Sequence, residues 1–366
     1  MRRFMAAACV AGLGIALSAA CAASASAAAT IIVTPGQSIQ AAVDAARPGD
    51  TVLVEPGVYR QSVQIRTNRI TLRGSGAFHG GTVLEPPAVF PHNVCNAGFG
   101  RTGVCVLARR VNTRTGVVRT PVVGDTITGM YIAGFPGNGV FGYGTIGLRV
   151  VHVVAVNDGG YGISRFASTR TLFADDTAIG NHEAGFYVGD SPNAATVVRN
   201  DRAMGNQFGI FVRHARGVSI HGNRLTGNCQ GILVLDDGQR GGAGNVRVWR
   251  NIVLRNNKFC RKHGDTPVNT RGGGILLLGA THTWVAGNKV RGNAGHQINS
   301  GGIVVASAHS LTHGSDPRFD TIAHNTAFRD HPADLIWDGS GIGVRFLANR
   351  CLTSIPAGLC HRGLRH

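Results

Sequence analysis

The sequence predicts an all-β solenoid, and three observations carry that prediction. A polar pair with an internal spacing of five returns along the chain. Its first members are His152, Asp176, Asp201, Asn223, Asn251, Asn288 and Asn325, and its second members are Asn157, Asn181, Asn206, Asn228, Asn256, Asn293 and Asp330. A glycine followed by an apolar residue recurs in the same order, at Gly162-Ile163, Gly185-Phe186, Gly209-Ile210, Gly231-Ile232, Gly274-Ile275 and Gly302-Ile303. The composition agrees: 53 glycines, 6% aromatic and 15% charged residues suit tightly turning strands better than helices. A repeat of about 20 to 50 residues is a unit that buries its apolar face only against its neighbours.

Met1-Arg2-Arg3, an apolar stretch from Ala6 to Ala20 and small residues from Ala22 to Ala29 have the form of a secretory leader covering 1–29. The mature chain is then expected to be one elongated domain over 30–366. Leu17-Ser18-Ala19-Ala20-Cys21 approaches a lipoprotein box, with its aliphatic residue one position too far from Cys21. No later apolar run is long enough to cross a bilayer. Ser38 is a natural N-cap, Ile39, Ala42, Val43 and Ala46 share a helical face, and Pro48-Gly49 stops the helix. This short N-terminal helix is expected to cap the open end of the solenoid, which would otherwise expose strand edges and core. Thr51–Val54, Val63–Ile65 and Ile70–Leu72 are the brief strands that follow.

First members of the polar pair stand 24, 25, 22, 28, 37 and 37 residues apart, so extra residues enter late. Inserted loops are expected near 236–245, 257–273, 293–300 and 307–319, and an irregular stretch at 85–121 should fold against the flank. Insertions on a solenoid usually build its binding face. Alternation places Ile210, Val212, Ile232 and Val234 in the core. Outside the leader six cysteines remain, an even number that reads as disulfides in an exported chain. Six cysteines allow fifteen pairings; proximity favours Cys95–Cys105, Cys229–Cys260 and Cys351–Cys360.

Together, the opening segment 34–76, the Gly-Ile dipeptides and the Asn-x4-Asn spacing resemble the secreted right-handed parallel β-helix repeat proteins of the pectin-lyase-like superfamily. The resemblance runs from about Thr34 to Ser354 and implies a right-handed parallel β-helix of about nine to eleven coils. It leaves the activity open, since that superfamily spans lyases, polygalacturonases, uronan epimerases and non-enzymatic adhesins. The order of acidic, His and Arg motifs found in polygalacturonases is not matched, and Asp316-Pro317-Arg318-Phe319 lacks the histidine of the epimerase Asp-Pro-His-Asp motif. Leucine-rich repeats have a similar period, but Val218–Asn223 supplies neither their leucines nor a helical segment.

Formal charge is +17, falling to +15 when Arg2 and Arg3 leave with the leader. A basic exported surface attracts polyanions, an acidic polysaccharide first among them. Nucleic acid is disfavoured because no binding motif or aromatic interleaving accompanies the arginines. A monomer is expected.

Just past the Gly-Ile strands, alignment between coils brings Asp190, Arg213, His214, Asp236 and Asp237 into one column, with coils about 4.8 Å apart. These are the candidate catalytic residues. Arg213 would neutralise a uronate carboxylate and His214 would take the adjacent proton, as a lyase requires. Asp190 with Asp236 or Asp237 would instead serve a glycoside hydrolase, or hold Ca2+. A non-catalytic adhesin or polymer-binding scaffold is the other reading, for which positive charge suffices. Arg165, one coil earlier, and the outward aromatics Tyr187 and Phe211 are the candidate substrate-binding residues, although a covering loop would also explain the aromatics. Asp176 and Asp201 replace asparagine in adjacent coils and invite a metal, a raised pKa or an Arg partner; their shared turn preference explains them equally well.

Overall fold

The computed structural model describes residues 27–263 and 266–361. Of the expected leader 1–29, residues 1–26 lie outside them. The chain winds through three parallel sheets in the order A, B, C. Among the described residues sheet A has twelve strands, sheet B ten and sheet C eleven, each strand pairing with its equivalent one coil away. Ten coils are complete, with strands of a further turn at each end. Among the described residues no helix is long and apolar enough to cross a membrane.

The helix α1, Ile39–Ala45, forms where expected. Ser38 Oγ accepts from the Ala41 N–H at 3.1 Å, and Ile39, Ala42 and Val43 are buried over the first coil. Ile210, Val212, Ile232 and Val234 are fully buried, as alternation requires. All three disulfides form in the expected pairing, with Cα separations of 6.4 Å, 6.0 Å and 5.3 Å.

Two buried ladders run along the stack, one at the corner between sheets A and B and one between B and C. Asn251 shows the repeating chemistry. Its Oδ1 accepts from the Asn223 N–H and Nδ2, while its own Nδ2 donates to Asn288 Oδ1 and the Ile220 carbonyl. Every rung thereby satisfies the backbone at a sharp corner, where an orphaned buried N–H would be costly. Register moves one end of the sequence alignment. Val153 and Asp158 occupy the rungs opposite Asp176 and Asn181, so His152 and Asn157 are not members. Both instead take left-handed backbone just before the rung, with φ of 57° and 54°. Asn349 adds a rung beyond Asn325.

The insertions cover much of the outer face of sheet C. Residues 85–121 bring Cys95, Val94 and Phe99 over Cys105, Leu107 and Phe141. Thr266–Thr270 and Leu311, from the two later insertions, close over Phe211, Leu233 and Leu278.

Candidate functional site

The column predicted from the repeat exists, with a register that separates its members. Gly189, Arg213 and Leu235 are paired on successive strands of sheet C, so Asp190, His214 and Asp236 follow at equivalent corner positions, and Asp237 comes one residue later. Asp190 and His214 both adopt left-handed backbone, at φ 51° and 47°, and Ala167 does so in the preceding coil. A corner geometry shared with an alanine is a property of the turn.

Asp190 Oδ1 lies 3.5 Å from His214 Nδ1, and His214 Nε2 lies 2.8 Å from the Arg240 carbonyl oxygen. A carbonyl only accepts, so Nε2 donates to it and Nδ1 is the ring nitrogen turned toward Asp190. That nitrogen is buried against Asp190, whereas the Asp190 side chain is 41% exposed and lines a cleft of about 460 Å³ with Val118, Thr145 and Asn193. The carboxylate therefore faces solvent and the imidazole stands behind it. Burial, and secondarily the Asp190 charge, raises the Tyr143 phenol above its ordinary range.

The other column members are withdrawn. Arg213 Nε bonds Asp237 Oδ2 at 2.9 Å, and the Asp237 side chain is 3% exposed and also held by Gln239. Asp236 is buried, accepting from the N–H groups of Gly238 and Ser315 and from the Ser315 hydroxyl, and so fastens the 307–319 insertion to the coil. Of the three acids in the column, Asp190 alone presents a carboxyl to solvent.

Three further expectations change. Arg165 does not extend the column. It sits in register with Val188 and Val212, inside the coil, fully buried. Its guanidinium bonds the carbonyls of Gly189, Ser168 and Ala194 and the Ser191 hydroxyl, and burial lowers its pKa to about 9. Tyr187 and Phe211 are 2% and 5% exposed and packed under neighbours, so neither offers a ring face to a ligand. Tyr187 lies over Gly189, where an added Cβ would come within 2.3 Å of its ring. Half-buried rings surround it: Tyr161 at 4.3 Å and Phe166 at 4.6 Å from Tyr187, with Tyr143 stacked on Phe166 at 6.3 Å. Sequence reasoning missed them; Phe166 and Tyr143 are the register partners of Gly189 one and two coils earlier.

Asp176 and Asp201 do not fit a metal. Asp176 accepts from the N–H groups of Val153 and Ala174, and Asp201 from that of Asp176. Both are buried, and desolvation first, then their mutual charge for Asp176, holds the carboxyls well above the usual range. Calcium needs six or more oxygens and ionised carboxylates; here the neighbours are donors. Neither Asp236 nor Asp237 has an oxygen to spare, and no group of three His, Cys, Asp or Glu side chains gathers as a metal site among the described residues.

Residues 97–259 match the family model described as the right handed beta helix region. No curated protein matches the chain. Among solved structures, the A-module of the mannuronan C-5 epimerase AlgE6 from Azotobacter vinelandii shares 19% identity, covering 86% of this chain and 90% of that one, with a TM-score of 0.57. The AlgE4 A-module from the same organism shares 16% over 85% and 89%, TM-score 0.54. An alginate lyase from Paenibacillus sp. str. FPU-7 shares 15% over 87% and 99%, TM-score 0.50. At such identities the likeness is one of fold. The coils, the ladders and these matches agree on the fold: the chain is a right-handed parallel β-helix.

Proposed function

We propose that the chain is an exported protein that binds an acidic polysaccharide in the cleft beside Asp190, at the corner after the sheet C strands, and processes it by acid–base chemistry at Asp190 and His214. The observation that carries this reading is a solvent-facing carboxylate backed by an imidazole whose proton is fixed by a carbonyl. Export is supported by three disulfides, which persist in oxidising compartments. A uronan as substrate class is supported by the basic surface and by the likeness to two mannuronan C-5 epimerase modules and an alginate lyase.

Elimination and epimerisation of a uronate both begin with loss of the proton on the carbon beside the carboxylate. Asp190 takes that proton, and His214 stabilises the charges on Asp190 as it changes state. In elimination the freed electron pair forms a double bond and expels the glycosidic oxygen, to which the Asp190 carboxyl returns the proton. Exposed Arg240 meets the substrate carboxylate, and the half-buried rings of Tyr143, Tyr161 and Phe166 carry sugar faces. Hydrolysis by paired carboxylates is the weaker reading, because Asp236 and Asp237 are already bonded and withdrawn.

The test is to incubate the mature protein with pectate, alginate, glucuronan and glycosaminoglycans and follow unsaturated uronate, chain length and epimer ratio. Change in any of the three on one polymer supports the proposal. Binding with no change on any polymer moves the protein to the non-catalytic scaffold class.

A further inference from the structure

A second cleft, about 900 Å³, lies on the corner between sheets B and C, away from Asp190. The 257–273 insertion supplies Lys258, Arg261, Lys262 and His263 to one wall, and the start of the sheet C strands supplies His182 and Gln207 to the other. The Cys229–Cys260 disulfide pins the cationic wall in place. Lys258 Nζ bonds the Gly205 carbonyl, and among the described residues no carboxylate pairs with any of the three full cations.

Two buried groups make this more than a charged surface. Gln207 is 3% exposed, yet its Nε2 has no hydrogen-bond partner and it lines the cleft. A buried amide donor left unmatched calls for an acceptor. The acid in the lining, Asp158, is buried, accepts from the Phe135 N–H at 2.9 Å, and is held above the usual carboxylate range by burial. His182 and His263 meet edge to face at 4.4 Å across the opening.

We propose that this cleft is an oxyanion subsite, taking the carboxylate or sulfate group of an acidic saccharide. Cations supply the charge complement and Gln207 the buried donor. The proposal rests on the saccharide reading above only for what carries the anion. Gln207 immediately precedes the strand Phe208–Ala215 that carries His214; seven residues of extended chain are about 23 Å, so the subsite would hold a part of the chain several sugars from the reacting bond.

Inorganic sulfate is the first probe, followed by the ring-proton NMR signals of His182 and His263 in the full mature chain. Saturable shifts are expected, and they should vanish in Arg261→Ala/Lys262→Ala and weaken in Gln207→Leu. Oligogalacturonate, a heparin oligosaccharide and uncharged dextran then distinguish the carrier at fixed salt. The double variant should lose about tenfold in affinity for a charged oligosaccharide, with dextran unaffected. Arg149→Ala/Arg345→Ala, two exposed arginines on sheet A, removes the same charge and should lose little. Equal loss in that control would overturn the subsite in favour of a general field. Shifts that never saturate, or sulfate binding without any change in oligosaccharide affinity, would overturn it too. Turnover is not read, so failure of the acid–base proposal leaves these outcomes interpretable.

Discussion

Asp190 and His214 divide between them what sequence reasoning assigned to His214 alone. Alignment between coils found the pair, because Asp190 and His214 follow register-paired residues. It could not show that the Arg240 carbonyl takes one ring nitrogen and Asp190 shields the other. Asp190→Asn should therefore lower kcat at least about 100-fold with KM little changed, as removal of a general acid–base group does; steady-state kinetics on the responsive polymer reads this. His214→Gln should cost less and shift the pH profile, since His214 acts through Asp190.

Arg165 carries a different lesson. It stands two residues after Ile163 on a strand, so alternation already pointed it inward. Reading it as a surface cation relied on charge being excluded from cores, and the carbonyls at the corner remove that objection by accepting its protons. Asp201 is a third case. Its Oδ2 is buried without a partner, at the place where each neighbouring asparagine puts a donating Nδ2. Protonation supplies the missing donor, consistent with the raised pKa. An unfolded aspartate ionises near 4, so above that pH the unfolded state gives up a proton that the native state keeps, and stability falls with pH. Asp201→Asn should stabilise by about 2 kcal/mol at neutral pH and by little at pH near 3, as measured by denaturant unfolding at both pH values.

At the scale of elements, the insertions explain why the aromatic column misled. Tyr187 and Phe211 lie on the outward side as alternation requires, but a strand pattern says nothing about what a distant loop will cover. Phe211 is closed over by 257–273 and 307–319. Asp236 is the fastening, through Ser315 and the Thr312 hydroxyl that bonds its carbonyl. Asp236→Ala should loosen 307–319, destabilising by about 2 kcal/mol and speeding proteolysis within that segment while turnover persists. Loss of turnover with the segment still protected would return Asp236 to the catalytic set.

Over the whole molecule, the repeat revealed the architecture because each coil is bonded only to its neighbours, so spacing in sequence is spacing in space. The one-residue slip at His152 and Asn157 shows the limit of that ruler, since a polar residue at a left-handed corner looks like a rung from sequence alone. The stack also concentrates buried acids. Burial raises Asp125, Asp320 and Asp330 to about 7, and Asp158, Asp176 and Asp201 well above normal. All six keep protons that the unfolded chain releases above pH ~4, so each costs up to ~1.4 kcal/mol per pH unit until its folded pKa is passed. The midpoint of thermal unfolding should accordingly fall between pH 5 and 7.5, and a rising midpoint over that window would mean these carboxyls are ionised.

The central claim is that Asp190 moves the proton beside a uronate carboxylate. Incubating a uronan in D2O with the wild-type protein and with Asp190→Asn, then measuring loss of the proton on that carbon by NMR, tests it whether the outcome is elimination or inversion. The account predicts washout with the wild type and almost none with the variant. Equal washout by both proteins, or none by the wild type on any uronan it binds, would contradict it.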